Sequence, residues 1–228
     1  MEETRITRKA SLLGALGGAL GLAGFKVAES DAASGGPAAV ASGAVTCVLT
    51  PEMTEGPYYI DGEKLRRDIT EGRPGQPLAL RLAVVNASTC KPIKGAIVDI
   101  WHADASGIYS GFGAGSANRT FMRGLQRTDA SGVATFQTVY PGWYPGRTVH
   151  IHVKVHVAGN VVHTGQLFFN DAVTDAVYKR TPYSKRPSRT TRNADDSIFV
   201  NGGSKSLAKI ARQGAGYVGT ATMGVHTA

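Results

Sequence analysis

Residues 149–157 alternate without a break. Val149, Ile151, Val153, Val155 and Val157 fall on one side of an extended chain, and His150, His152, Lys154 and His156 on the other. Helical apolar positions recur every three or four residues, so this segment reads as a strand with one face committed to a core. The same period recurs along the chain. Leu78, Leu80, Leu82 and Val84 share one face. Ile97–Trp101 is apolar enough for a buried strand, and Val133–Val139 follows the turn Asp129-Ala130-Ser131-Gly132. Gly159-Asn160 marks a turn, so the segment 149–157 and Val161–Phe169 are expected to form a hairpin, and Tyr217–Val225 is expected as a last strand. Helix signals are few: Asp171–Lys179 and Lys205–Arg212 are expected as short helices. The 228 residues, 42% hydrophobic and 18% charged, suffice for one domain with a real core. The expected architecture is all-β: a two-sheet antiparallel β-sandwich with few short helices.

The N-terminus reads differently. Arg5, Arg8 and Lys9 precede the apolar stretch Ser11–Phe25, and Ala39-Val40-Ala41 fits a small-x-small cleavage site. Residues 1–41 are therefore expected to be an export signal, leaving 42–228 as the domain. Thr7-Arg8-Lys9-Ala10-Ser11-Leu12-Leu13 resembles a twin-arginine motif with its second Arg replaced by Lys, so both that route and general secretion stay open. The apolar stretch is too short for a permanent membrane span, which takes about 20 apolar residues. Export would expose Cys47 and Cys90 to an oxidising compartment, where they can pair; the alternative is two buried thiols.

The formal net charge of +8 points to an anionic partner without fixing one. Lys179, Arg180, Lys185, Arg186, Arg189 and Arg192 crowd one stretch broken by Pro182 and Pro187, which reads as a solvated basic loop. No nucleic-acid-binding motif accompanies it, and none of the Gly-rich loops that cradle nucleotides is present.

His150 and His152 face one side of a rigid strand, which makes half of a metal site or, equally, part of a wet strand face. No cupin-like Glu/His set or Cys cluster completes it. Tyrosines stand nearby in sequence: Tyr144 six residues before His150, and Tyr109 just past Trp101-His102-Ala103-Asp104. A phenol is neutral at pH 7 unless something strongly favours the phenolate, as a trivalent cation does.

These residues lie in segments that resemble the intradiol ring-cleavage dioxygenases, which use non-haem Fe(III) held by two Tyr and two His. The matching segments are Leu49–Tyr59, Asp99–Asp104 with Gly107-Ile108-Tyr109-Ser110, and Tyr144–His152, with Gln166 at the family's spacing after the second His. The resemblance implies a β-sandwich and assigns Tyr109, Tyr144, His150 and His152 to iron. It makes Tyr144 the tyrosine that leaves when a catechol chelates the metal and accepts a catechol proton. Arg147 would stabilise the carbanion-like ring, and Gln166 would lie beside it. The implied substrates are catechols and O2, and the product a muconate-type diacid.

The chain departs from the family in places. Only five residues separate Tyr144 from His150, and Thr148 stands where the family usually has Pro. Neither the helical dimerisation region of cytoplasmic relatives nor an appended carbohydrate-binding module is expected, and the oligomeric state stays open. Tyr140 is expected to pack rather than rival Tyr144. His102, His156, His163 and His226 are expected to be structural or exposed, and Trp101 and Trp143 to lie in the core or behind the ligands. Tyr58 and Tyr59 either line the pocket mouth or simply pack. Two other readings remain: a transthyretin-like binding module without catalysis, and a zinc enzyme using His150 and His152.

Overall fold

A computed structural model describes residues 49–62, 64–112 and 115–227. The expected export segment 1–41 and Cys47 lie outside the described residues. Cys90 is disulfide-bonded.

Eight strands among the described residues form two four-stranded sheets. The strands are β1 (Pro77–Asn86), β2 (Ile97–Trp101), β3 (Arg123–Arg127), β4 (Val133–Val139), β5 (His150–Val157), β6 (Asn160–Phe168), β7 (Lys209–Gln213) and β8 (Gly216–Val225). One sheet has the order β4-β1-β8-β7, the other β3-β2-β5-β6. The core lies between them. Leu78, Leu80 and Leu82 of β1 and Phe136 of β4 meet Val98 and Ile100 of β2 and Ile151, Val153 and Val155 of β5 in one buried cluster. The alternation in the sequence is thus the imprint of one apolar face per sheet. Two short helices follow β6: α1 (Asp171–Tyr178), capped by the Asn170 side chain, and α2 (Ser197–Val200), capped by Asp196. Among the described residues no helix is long and apolar enough to cross a membrane.

The all-β sandwich is as expected, with four differences. β1 and β8 run parallel in an otherwise antiparallel arrangement. Residues 205–212 do not form a helix: a 3-10 turn spans Gly203–Ser206, and β7 then pairs antiparallel with β8. β8 already spends one edge on β1, so its other edge is satisfied by this short polar strand. The strand β3 has no counterpart in the sequence reading, because Arg123-Gly124-Leu125-Gln126-Arg127 carries a single large apolar residue. The β5–β6 hairpin forms, but its turn sits on Ala158 and Gly159, both at positive φ, one residue earlier than expected.

The second face of β5 is not wet. His150, His152 and Lys154 are buried on the side of the sheet away from the core. The chain around residues 54–59 and the loops carrying Tyr109 and Tyr144 cover them. The candidate site lies under this cover.

Candidate metal centre

Sheet register builds the floor. Trp101 of β2 and Gln166 of β6 both pair with His152 of β5, so the three side chains form a row across three strands. The Trp101 and His152 rings stack at 4.9 Å and 5°. Two loops bring the phenols. Tyr144-Pro145-Gly146-Arg147 is a tight turn closed by a Tyr144–Arg147 bridge, with Pro at its second position and Gly at φ +84° at its third, the pattern of a type II turn. It sets Tyr144 and Arg147 side by side at the start of β5. The Tyr109 loop is wound around Asp104, whose carboxylate accepts from Ser106 N and Ile108 N and whose carbonyl accepts from Gly107 N and Gly142 N. Gly107 is required there, because a Cβ would run into the Trp143 carbonyl.

The expected donors converge. His150 donates from Nδ1 to the Thr148 carbonyl at 2.7 Å, which leaves the lone pair on Nε2. Tyr144 Oη and His152 Nε2 each lie 3.1 Å from that nitrogen. The Tyr109 ring centroid is 5.6 Å from that of Tyr144 and 6.1 Å from that of His152. Its hydroxyl is buried without a hydrogen-bond partner. Burial, then the nearby Arg147 charge, lowers the His150 pKa to about 3. Burial, then His150, puts His152 well below its usual value. Both rings are neutral at pH 7, as metal ligation requires. Burial, then Tyr144, pushes the Tyr109 phenol well above its usual range, and burial raises Tyr144 too.

Two neutral imidazoles and two phenol oxygens, one of them orphaned, suit a hard trivalent cation that would draw both phenols into their anionic form. Among the described residues no set of three or more His, Cys, Asp or Glu is grouped. The side-chain oxygen nearest the His150 Nε2 nitrogen is the Tyr144 hydroxyl, with the Tyr109 ring beside it.

Arg147 and Gln166 lie beside this cluster. Arg147 Nη2 donates to Gln166 Oε1 at 2.5 Å, and Gln166 Nε2 donates to the Thr54 carbonyl at 2.9 Å. Next to Thr54, the Gly56 Cα hydrogens face the His152 ring; a Cβ would sit 3.2 Å from its Cε1. Tyr58 stacks on Tyr109 at 4.3 Å, whereas Tyr59 packs on Trp101 at 4.8 Å and lies under the Lys154 ammonium.

The other candidates go elsewhere. Tyr140 is in the core, with its hydroxyl on Thr174 Oγ1 at 2.8 Å. His102 is buried between the Ala103 carbonyl and Thr138 Oγ1, and His163 is buried as well. His226 is exposed.

Three residues near the site had no signal in the sequence reading. Asp196 accepts from Arg147 Nε at 2.8 Å. Arg123, fully buried, donates to the carbonyls of Tyr58 and Ser110 and so fixes the backbone beside both ring-bearing loops. Arg186 holds the Trp143 carbonyl and lies over the Trp143 ring. The stretch 179–192 is thus only partly solvated: Lys179, Lys185 and Arg192 are exposed, whereas Arg186 and Arg189 are tied to the domain. The Arg189 side chain is only 4% exposed and pairs with Asp171 and Asp175 of α1.

Residues 54–181 match the family described as Dioxygenase. An intradiol ring-cleavage dioxygenase from Tetranychus urticae is 40% identical, with a TM-score of 0.75, and the match covers 79% of this chain and 95% of that one. The dioxygenase domain of a carbohydrate-binding fusion protein from the cellulolytic bacterium Streptomyces sp. SirexAA-E is 34% identical, with a TM-score of 0.62, covering 79% and 99%. Catechol 1,2-dioxygenase 1 of Acinetobacter lwoffii is 35% identical over 101 residues, which are 42% of this chain and 32% of that protein. The chain thus spans about a third of the length of that curated relative.

Proposed function

The chain belongs to the intradiol ring-cleavage dioxygenase family, and from that premise we propose that it cleaves catechol rings between their two hydroxyl-bearing carbons. O2 is the co-substrate and a muconate-type diacid the product. Non-haem Fe(III) is held by Tyr109, Tyr144, His150 and His152. The observation that carries this reading is the convergence of Tyr144 Oη and His152 Nε2 on the His150 Nε2 lone pair, with the unpartnered Tyr109 hydroxyl buried beside them.

When bound, Fe(III) supplies the Lewis acidity that draws electron density from a catecholate and makes its ring carbon reactive toward O2. The protein's own groups do the rest. The Thr148 carbonyl keeps His150 in the ligating tautomer. Tyr144 is less buried than Tyr109, so it is the phenol that can leave and take a catechol proton at Oη. Arg147 places a fixed positive charge where the ring becomes electron-rich, and Gln166 holds one end of that guanidinium. The Tyr58 ring, stacked on Tyr109, limits the access of water. The charge run at the N-terminus, its apolar stretch and the Ala39-Val40-Ala41 site support export, so the substrates are catechols met outside the cytoplasm.

The test is optical first. Protein purified with iron, or reconstituted with Fe(III), is expected to show a red-brown tyrosinate charge-transfer band that shifts when catechol is added. O2 uptake with diacid formation follows. A protein that stays colourless after Fe(III) reconstitution overturns the metal site. A coloured protein that consumes no O2 with any catechol overturns the activity.

A further inference from the structure

The family match ends at residue 181, yet the carboxylate that grips Arg147 comes from residue 196. We propose that Asp196 is a positioning residue, which fixes the Arg147 guanidinium against Gln166 for the reaction. This rests on the proposed ring cleavage.

The geometry is specific. Asp196 is 1% exposed, and both its oxygens are fully used. Oδ2 accepts from Arg147 Nε and from Thr148 N, each at 2.8 Å. Oδ1 accepts from Ile198 N at 2.8 Å and Phe199 N at 3.1 Å, capping α2. A carboxylate held by four N–H donors cannot turn, so it fixes the Nε edge of the guanidinium. The Nη2 corner is then left on Gln166 Oε1. The grip depends on Thr148 not being proline, because Pro has no N–H to donate. Thr148 also donates from Oγ1 to Asn193 Oδ1 at 2.6 Å, and Asn193 Nδ2 donates to the Phe169 carbonyl at 2.9 Å. Residues 193–199 are thereby tied to the start of β5 at several points. A guanidinium acting by electrostatic stabilisation is useful only where it is held in advance, and a misplacement of about 1 Å can cost roughly a hundredfold in rate.

The experiment uses the iron-loaded full chain. Asp196→Asn keeps one oxygen for the α2 cap, a role Asn fills as well as Asp, and presents an amide NH2 to Arg147 Nε and Thr148 N, which are themselves donors. The expected result is a fall in kcat of roughly tenfold to a hundredfold with KM changed far less, and an unaltered iron content and resting charge-transfer band. In an Arg147→Ala background the same substitution is expected to change kcat less than twofold, because Asp196 acts through Arg147. In a crystal structure of D196N, Arg147 Nη2 is expected to have left Gln166 Oε1. A D196N enzyme within twofold of the parent kcat overturns the proposal. So does an equal loss in both backgrounds, or a loss of iron in step with activity. If the parent cleaves no catechol, the proposed function fails, and the crystal structure decides alone. Arg147 displaced from Gln166 then supports the positioning role, and Arg147 still in place overturns it.

Discussion

Tyr140 and Tyr144 carry the same phenol four residues apart in different surroundings. Tyr140 packs on Phe169 at 4.7 Å and shares a hydrogen bond with buried Thr174. Tyr144 points its hydroxyl at His150. Tyr144→Phe is therefore expected to shift or weaken the charge-transfer band of the Fe(III) protein and to lower ring cleavage by at least tenfold, with little change in melting temperature. Tyr140→Phe is expected to leave the band alone and cost about 1 kcal/mol, the worth of one buried hydrogen bond, because the Thr174 hydroxyl keeps the Asn170 carbonyl as its partner. Visible spectra and thermal melts of the two variants check this, and a reversed pattern would exchange the roles of the two tyrosines. At this scale the His150 and His152 pair was legible because a strand period is local, and Tyr109, Tyr144, Arg147 and Gln166 were legible through the family resemblance. Asp196, Arg123 and Arg186 were not. Their partners are a guanidinium 49 residues away and backbone carbonyls up to 81 residues away. A carbonyl carries no trace of its partner in the side-chain sequence.

Among the elements, legibility followed burial. β1, β2, β4, β5, β6 and β8 could be read because a face or more of each is apolar and buried. β3 and β7 could not. Both are edge strands of their sheets with mostly polar side chains, held by backbone hydrogen bonds rather than by a core face; β3 is also bridged by Leu65 on its outer side. The basic stretch 179–192 was read correctly for exposed Lys179, Lys185 and Arg192 but not for Arg189, for a related reason: clustered positive charge looks solvated until the acids that meet it are known. Asp171 and Asp175 lie four apart on α1, and Arg189 reaches both. The acids are partly exposed, so the pairing is worth less than a fully buried one. Arg189→Ala is expected to destabilise the domain by about 1–3 kcal/mol, whereas Lys185→Ala, on an exposed side chain, should stay within about 0.5 kcal/mol. Urea melts of the two variants measure the difference, and equal effects would return the segment to a solvated loop.

For the molecule as a whole, burying neutral histidines makes stability depend on pH. His102 is fully buried, and burial holds its folded pKa at about 4, against about 6.5 when unfolded. Between those values the unfolded chain carries the extra proton, so stability rises with pH there and is lost as pH falls from about 6.5 toward 4. His102 alone accounts for roughly 3 kcal/mol over that window. In iron-free protein His150, at about 3, adds a loss of the same sign. Urea melts of iron-free protein between pH 7.5 and pH 5 are expected to show this decline, and His102→Gln should flatten it by up to about 1.4 kcal/mol per pH unit. An unchanged slope in H102Q would mean that His102 is not the group titrating. What the sequence determined by itself was the sandwich, through one apolar face per strand, and the shared face of His150 and His152, through a strand period; the resemblance added Tyr144. The strand signals are local, because a strand's side-chain direction is set within a few residues. Only the tertiary structure decided that the histidine face of β5 is roofed rather than wet, which tyrosine meets His150, and which carboxylate holds Arg147. Those outcomes depend on segments far apart in the chain meeting across a sheet, and the energy of such contacts resides in distance and burial, which no short stretch of residues reveals by itself.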